Sequence, residues 1–524
     1  MTDNLAHPYN RRESFVGHWR HLPRLIRCDV GRVLTIDDLS DDELLVIFDF
    51  YVIRYQDLIF RLRDTPYAKK EVEWWQSLVH VCRRWRCLIY GSPRRLDLQI
   101  CFLAEPNPKG SLDVWPPLPI LIWGFIFETS MVDIIAKLKY NDRICQIHLE
   151  CRTAWQVEKL WTAMQVPFPE LAVLSLRGYE FEQVPVLPDS FLGGSAPRLR
   201  YLSLVSVPFP GLPKLLLSTT RLLYLWLVGI PHSGYISPEA IATSLSMLTS
   251  LKTFQFEFES PQSSPDQENR RSLPPTRFVL PSLTHFWFKG VDKYLEDLLS
   301  RVDAPRVSRL SITFFNDTHF NTRELNQFIS RTPTFGGTND ARLIFGSQEA
   351  QVRLQSHPEP SHHGIVEVKH LCQAPDRQLS SLAQIFTMWL HLLSTIENLY
   401  IYEDIYSPPI WEDDVRFDTK WDDIEEAKWL DVLLPFTAVK DLYLSNRFTP
   451  HIAPALQELA GGRTTEVLPS LRNLFLGGSW NVDLVHGIAP RIAKLYNLQL
   501  NNLPFAISVW ENDTVAQSER YSDL

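Results

Sequence analysis

Leu199-Arg200-Tyr201-Leu202-Ser203-Leu204 and Leu222-Leu223-Tyr224-Leu225-Trp226-Leu227 spell one phrase, Leu-x-x-Leu-x-Leu, twice within a short span. The phrase returns about every 23 to 32 residues through the C-terminal part of the chain. Further copies are Leu171, Leu174, Leu176; Leu251, Phe254, Phe256; Leu283, Phe286, Phe288; and Val307, Leu310, Ile312. Near the end stand Ile396, Leu399, Ile401; Val439, Leu442, Leu444; and Leu471, Leu474, Leu476. An earlier candidate is Ile144, Ile147, Leu149, and a weak last one is Leu495, Leu498, Leu500. The last two apolar residues of each copy alternate, which is strand spacing, while the first lies three back at an entry turn. Each copy therefore predicts one short strand with one buried face.

Pro169, Pro197, Pro281, Pro305 and Pro469 each stand two residues before the first apolar position. Proline lacks a backbone N–H, so it suits a point where the chain has not yet entered a ladder. Between phrases, Met131 to Tyr140 and Trp155 to Met164 have apolar residues three and four apart, which predicts helices. Strand, return segment and strand at this period resemble a leucine-rich-repeat solenoid, whose parallel sheet lines a concave side. Where such repeats place a buried Asn or Cys, this chain has Tyr179, Val207, Ile230, Val291 and Phe315. An irregular horseshoe packed by larger apolar groups is expected, with repeats between about Asp317 and Leu393 poorly marked.

If the paired apolar residues point inward, the residue between them points out of the concave sheet. That column reads His148, Ser175, Ser203, Trp226, Gln255, Trp287, Ser311, Tyr400, Tyr443 and Phe475, flanked by Tyr201, Tyr224 and Tyr402. Five aromatics in ten positions far exceed the 12% aromatic content of the chain. Large aromatics on an open sheet mark a binding face, and Trp226, Trp287, Tyr400, Tyr443, Phe475, Tyr201, Tyr224 and Tyr402 are its candidate residues. The alternative is that a loop or the C-terminal tail folds across them; strands also favour aromatics intrinsically.

At 524 residues the chain exceeds one ordinary core, and the repeats favour a quasi-one-dimensional array. A hydrophobic share of 45% with 22% charged residues predicts a folded chain, and the net charge of −9 argues against nucleic acid and anionic membrane as partners. Seven cysteines without Cys-x-x-Cys spacing read as free thiols in a reducing compartment, cytoplasmic or nuclear. The greasy run Val114 to Phe127 is too short to span a bilayer and is broken by prolines.

Before the repeats, Ser40 and Glu43 have capping-box spacing, followed by Leu44, Ile47, Phe48, Tyr51, Val52 and Tyr55 on one helical face. A second helix is read through Trp74, Leu78, Val81, Cys82, Trp85, Leu88 and Ile89, stopping at Gly91-Ser92-Pro93. Together, Leu39-Ser40-Asp41-Asp42-Glu43-Leu44-Leu45-Val46-Ile47-Phe48 and Val81-Cys82-Arg83-Arg84-Trp85 resemble an F-box. Ser40 and Asp42 replace the usual proline and glutamate, and the insertion between the helices is long. The combination is similar to the large F-box families of mushroom-forming fungi. The resulting expectation is α/β: an extension (1–33), an F-box-like helical module (34–92), a leucine-rich-repeat-like solenoid (93–510) and a polar tail (511–524).

The resemblance implies a Skp-type linker and, through it, a cullin ubiquitin ligase, with Leu39, Leu44, Leu45, Phe48, Val81, Cys82 and Trp85 matching the motif. It implies that the repeats capture a protein substrate. The alternative is an interaction scaffold with no ubiquitin role, whose helical module merely caps the first repeat. His357, His362, His363 and His370 read as a solvated loop rather than a metal site, and Glu403 to Glu426 as a solvated acidic face. Gly461-Gly462-Arg463-Thr464-Thr465 lacks the lysine of a phosphate loop, and no catalytic constellation or cofactor site is legible.

Overall fold

The computed structural model describes residues 36–50, 72–93, 95–103, 117–179, 185–261, 277–315, 322–355, 364–403, 426–445, 448, 451–452, 467–477 and 506–510. The extension, the polar tail, the phrase at Leu495, the helical positions Tyr51, Val52 and Tyr55 and most of the acidic stretch lie outside them. The chain is α/β and divides into two compact units, Met1–Ile59 with Trp74–Asp97, and Phe60–Glu73 with Leu98–Leu524.

In the first unit, α1 (Asp41–Asp49) starts at the expected capping box: Ser40 N donates to Glu43 Oε2 at 2.7 Å and Glu43 N donates to Ser40 Oγ at 3.3 Å. The single second helix expected from Trp74 to Ile89 is instead two, α2 (Trp75–Val79) and α3 (Arg83–Gly91). The break is at Cys82, whose backbone is extended (φ −157°) and whose Sγ accepts from Trp85 N at 3.4 Å, capping α3. Periodicity ran through the break because both helices bury the same kind of stripe. Arg84 ties α3 back to α1, donating to Asp41 Oδ1 at 2.7 Å and to the Leu39 carbonyl at 2.6 Å. Phe48 and Trp85 meet edge to face at 4.9 Å between ring centroids.

The second unit is built on a sheet. Its strands are β1 (Ile100–Leu103), β2 (Ile120–Ile126), β3 (Ile144–Cys151), β4 (Val173–Gly178), β5 (Tyr201–Val205), β6 (Tyr224–Ile230) and β7 (Thr253–Phe258). There follow β8 (Phe278–Val279), β9 (His285–Gly290), β10 (Val302–Asp303), β11 (Arg309–Phe314), β12 (Asp340–Phe345), β13 (Glu349–Gln355) and β14 (Ile365–Leu371). The last are β15 (Asn398–Glu403), β16 (Asp441–Ser445), β17 (Asn473–Gly477) and β18 (Ala506–Trp510). Sixteen form one sheet, almost wholly parallel, while β8 and β10 pair separately. Helical returns join successive strands, among them α4 (Met131–Leu138) and α5 (Ala154–Ala163), where helices were expected. Later ones are α6 (Leu212–Leu216), α7 (Pro238–Leu245), α8 (Asp292–Leu299), α9 (Arg323–Arg331), α10 (Pro375–Met388), α11 (Leu390–Leu393) and α12 (Glu426–Leu433).

Each phrase works as its spacing demands. Leu171, Leu174 and Leu176 are buried, and so are their counterparts through Leu442 and Leu444. Each such side chain contributes roughly 1.5–3 kcal/mol by leaving water. All five prolines sit in the turn before the strand, as at Pro169, where Leu171 N donates to the Phe168 carbonyl. Proline at the second position of such a turn has its backbone angle preset. The expected large apolar filling is present where Phe254 stacks on Phe286 (5.4 Å) and Phe256 on Tyr294 (5.5 Å), the Tyr294 hydroxyl donating to the Ile236 carbonyl. Val207, Ile230 and Phe315 are buried, but Tyr179 is exposed.

The poorly marked stretch is where the array changes. β12 pairs in parallel with β15, β13 runs antiparallel to β12, and β14 runs antiparallel to β13 and parallel to β11. Three strands thus enter the sheet in reverse spatial order. At the other end Glu73 covers the edge strand β1, a carboxylate oxygen accepting from Cys101 N at 2.9 Å. His370, expected in a loop, lies in β14 and is buried; the other three histidines of that cluster are outside the described residues.

Candidate functional site

The sheet face opposite the leucines carries the expected column, and strand register makes it one continuous row. From Trp123 it runs through His148, Ser175, Ser203, Trp226, Gln255, Trp287 and Ser311. It continues through Glu367, Arg353 and Arg342 to Tyr400, Tyr443, Phe475 and the Ser508 position. Trp123, Glu367, Arg353 and Arg342 escaped sequence reasoning because their strands lack the phrase. The alternation of buried Val352 and Leu354, and of Val366 and Val368, was the available signal.

The row has three zones. In the first, Trp226, Trp287 and Tyr224 are half-buried, with Trp287 stacked on His285 at 5.4 Å. Tyr201, expected at the surface, is only 5% exposed; its ring packs 5.4 Å from that of Trp226 and 6.0 Å from that of Tyr224. It supports the neighbouring rings instead of presenting its own, and Ser203 is likewise buried. His148 is half-buried, and desolvation lowers its imidazole to about 4.

The middle zone is ionic. Lys369 Nζ lies 3.3 Å from Glu367 and 3.8 Å from Glu349, and Ser311 Oγ donates to Glu367 Oε1 at 3.4 Å.

The third zone is a column of stacked rings. Tyr400 and Tyr443 stack at 4.3 Å and 13°, and Tyr443 and Phe475 at 4.3 Å and 7°; the Arg342 guanidinium lies 5.7 Å from the Tyr400 ring centre. The close spacing is that of neighbouring strands, because identical register positions place ring against ring. Beside this column runs a second row on the same face, Asp340, Asn398, Asp441 and Asn473. Asn398 donates to Asp340 at 2.7 Å and Asn473 to Asp441 at 2.6 Å. Both phenols are held above the usual tyrosine range. Burial is the main cause in each, followed by Asp340 beside Tyr400 and Asp441 beside Tyr443.

In the helical unit the motif residues divide by exposure. Leu44, Leu45 and Phe48 are buried, Leu39, Cys82 and Trp85 are half-buried, and Val81 is 57% exposed. Among the described residues, Ile36, Val46, Ile47 and Phe50, the last 75% exposed, are further apolar side chains that this unit offers to solvent. Motif matching alone does not separate these groups. Burial does.

Among the described residues no group of three His, Cys, Asp or Glu side chains is placed to hold a metal, and no helix is long and apolar enough to cross a membrane. A cavity of about 540 Å³ where β14 meets α10 is lined by His370, Cys372 and Arg377 among others. Burial raises the Cys372 thiol, the opposite of what activates a nucleophile. Compared with known proteins, the chain matches no family model and no curated protein.

Proposed function

We propose that the chain is a substrate-recognition adaptor of a cullin-based ubiquitin ligase. On this reading the helical unit is a divergent F-box that binds a Skp-type linker, and the array is an irregular leucine-rich-repeat solenoid whose open sheet face binds a protein target. The carrying observation is the apolar surface of the helical unit, where Val81, Phe50, Ile36, Val46 and Ile47 stand in solvent although Leu44, Leu45 and Phe48 already fill buried positions. Apolar side chains in excess of what a small module buries mark a partner surface. The half-buried aromatic row supports the second half of the reading, since aromatics dominate recognition energetics. The adaptor works in cytoplasm or nucleus, where Cys82 and its neighbours remain free thiols.

The test is co-purification of the full chain with the host's Skp-type linker, using a Phe50→Glu, Val81→Glu variant. Both positions are exposed, so the variant is expected to keep its helical content, which circular dichroism checks. Capture by the wild type and its loss in the variant are expected. If the wild type captures no linker, the adaptor reading fails and the chain is a repeat scaffold with a helical cap.

A further inference from the structure

Near the β1 end of the sheet, the row through Trp123, His148 and Ser175 is followed two residues on by Phe125, Glu150 and Arg177, again in register and on the same face. Two residues further, just past the last ladder pairs, stand Phe127, Arg152 and Tyr179. Side-chain contacts draw these six together. The Arg152 guanidinium lies 5.3 Å from the Phe125 ring centre and 5.9 Å from that of Phe127, and the Tyr179 hydroxyl donates to Glu150 Oε2 at 2.7 Å.

A buried amide fixes the arrangement. Gln156 Oε1 accepts from Arg152 N at 2.8 Å and from Thr153 N at 3.1 Å, while its Nε2 donates to the Ile126 carbonyl at 2.9 Å. One side chain thus ties the strand end that carries Phe127 to the turn that carries Arg152. Both Arg152 and Arg177 act electrostatically on the Tyr179 hydroxyl, so the two cations converge on the same rim. Among the described residues, neither guanidinium makes an ion pair or a side-chain hydrogen bond. Phe127 and Tyr179 are 42% and 41% exposed, and Arg152 is exposed between them.

The charge balance selects the visitor. Across the three rows Arg152 and Arg177 stand against Glu150, leaving one net positive charge; His148 adds none, because desolvation lowers it to about 4. One carboxylate neutralises that charge, whereas a phosphate dianion would exceed it and be repelled by Glu150. A guanidinium laid on aromatic rings has its flat face covered and its in-plane donors directed outward, the geometry that pairs with a carboxylate.

We propose that the rim formed by Phe127, Arg152 and Arg177 is the docking site for an acidic segment of the protein target, one side-chain carboxylate pairing with the two guanidiniums. This rests on the reading of the sheet face as the target-binding surface and adds the chemistry of the target.

The test is fluorescence anisotropy of the full chain with labelled peptides of equal length, alternating glycine with glutamate, arginine or phosphoserine, at physiological salt. The chain carries a net charge of −9, so attraction by total charge works against an acidic peptide and binding reports the local site. Arg152→Ala and Arg152→Lys are compared with Lys252→Ala, which removes an exposed cation elsewhere, all with circular dichroism to confirm the fold. The glutamate peptide is expected to bind most tightly. Arg152→Ala should weaken it about three- to tenfold, the range of a partly exposed charge-assisted pair. Arg152→Lys should also weaken it, because an ammonium lacks the planar fork, and Lys252→Ala should leave it unchanged. Equal affinity of wild type and Arg152→Ala for the glutamate peptide would overturn the proposal, as would full affinity in Arg152→Lys or tighter binding of the arginine or phosphoserine peptide. Linker capture is scored in parallel: capture without glutamate-peptide binding sinks this inference alone, whereas peptide binding without capture sinks the adaptor reading and leaves this one standing.

Discussion

His148 occupies the row between Trp123 and Ser175, and its imidazole is lowered to about 4 by desolvation. A histidine free in an unfolded chain titrates near 6.5. Between those values the unfolded state binds the proton and the folded state does not, so stability falls as pH drops from about 6.5 toward 4 and is unaffected by this group at neutral pH. Urea midpoints measured across that range should fall more steeply for the wild type than for His148→Gln; parallel curves would refute the assignment. The residue also shows what a single sequence yields at this scale. That His148 points away from the leucines was legible from alternation alone, as it was for Trp226 and Tyr443. That Tyr201 lies buried under two neighbouring rings was not, because alternation assigns a face without saying how crowded it is. Leu44 and Val81 make the same point in the helical unit, where one motif contains a buried residue and an exposed one.

At the scale of elements, the phrase located β3 to β7, β9, β11 and β15 to β17 because one buried face and one entry turn leave a fixed signature. β12, β13 and β14 carry the alternation without the turn, and alternation does not record whether a partner runs parallel or antiparallel. The same limit hid β1, β2 and β18. In the finished sheet the inserted strands still continue the buried row: Ile312, Val368, Val352, Leu343 and Ile401 are in register, and all are buried. Val352 is therefore the joint of the array. Val352→Asp places an unpaired charge there and should cost about 3–5 kcal/mol. Contacts in such an array are mainly between neighbours, so hydrogen exchange should speed up from β11 to β15 while β3 to β6 keep their protection. Uniform loss across the sheet would mean the array unfolds as one cooperative body.

For the whole molecule, a sheet this long has two edges that invite strand addition. Glu73 guards the first by taking the Cys101 N–H that faces away from β2. Glu73→Ala is expected to produce concentration-dependent dimers or larger species in sedimentation velocity; a monomer profile unchanged over the working concentration range would show the guard to be dispensable. The reversed order of β12 to β14 governs another matter, time. On a ribosome the chain emerges from its N-terminus, and β2 to β7 each find their spatial neighbour in the strand made just before. β11 ends at Phe314, but the strand that must lie against it begins only at Ile365, after β12 and β13 have been made and left waiting. Growth of the sheet must pause there during translation, and the strands that carry the ring column join the rest only once β14 has closed the gap.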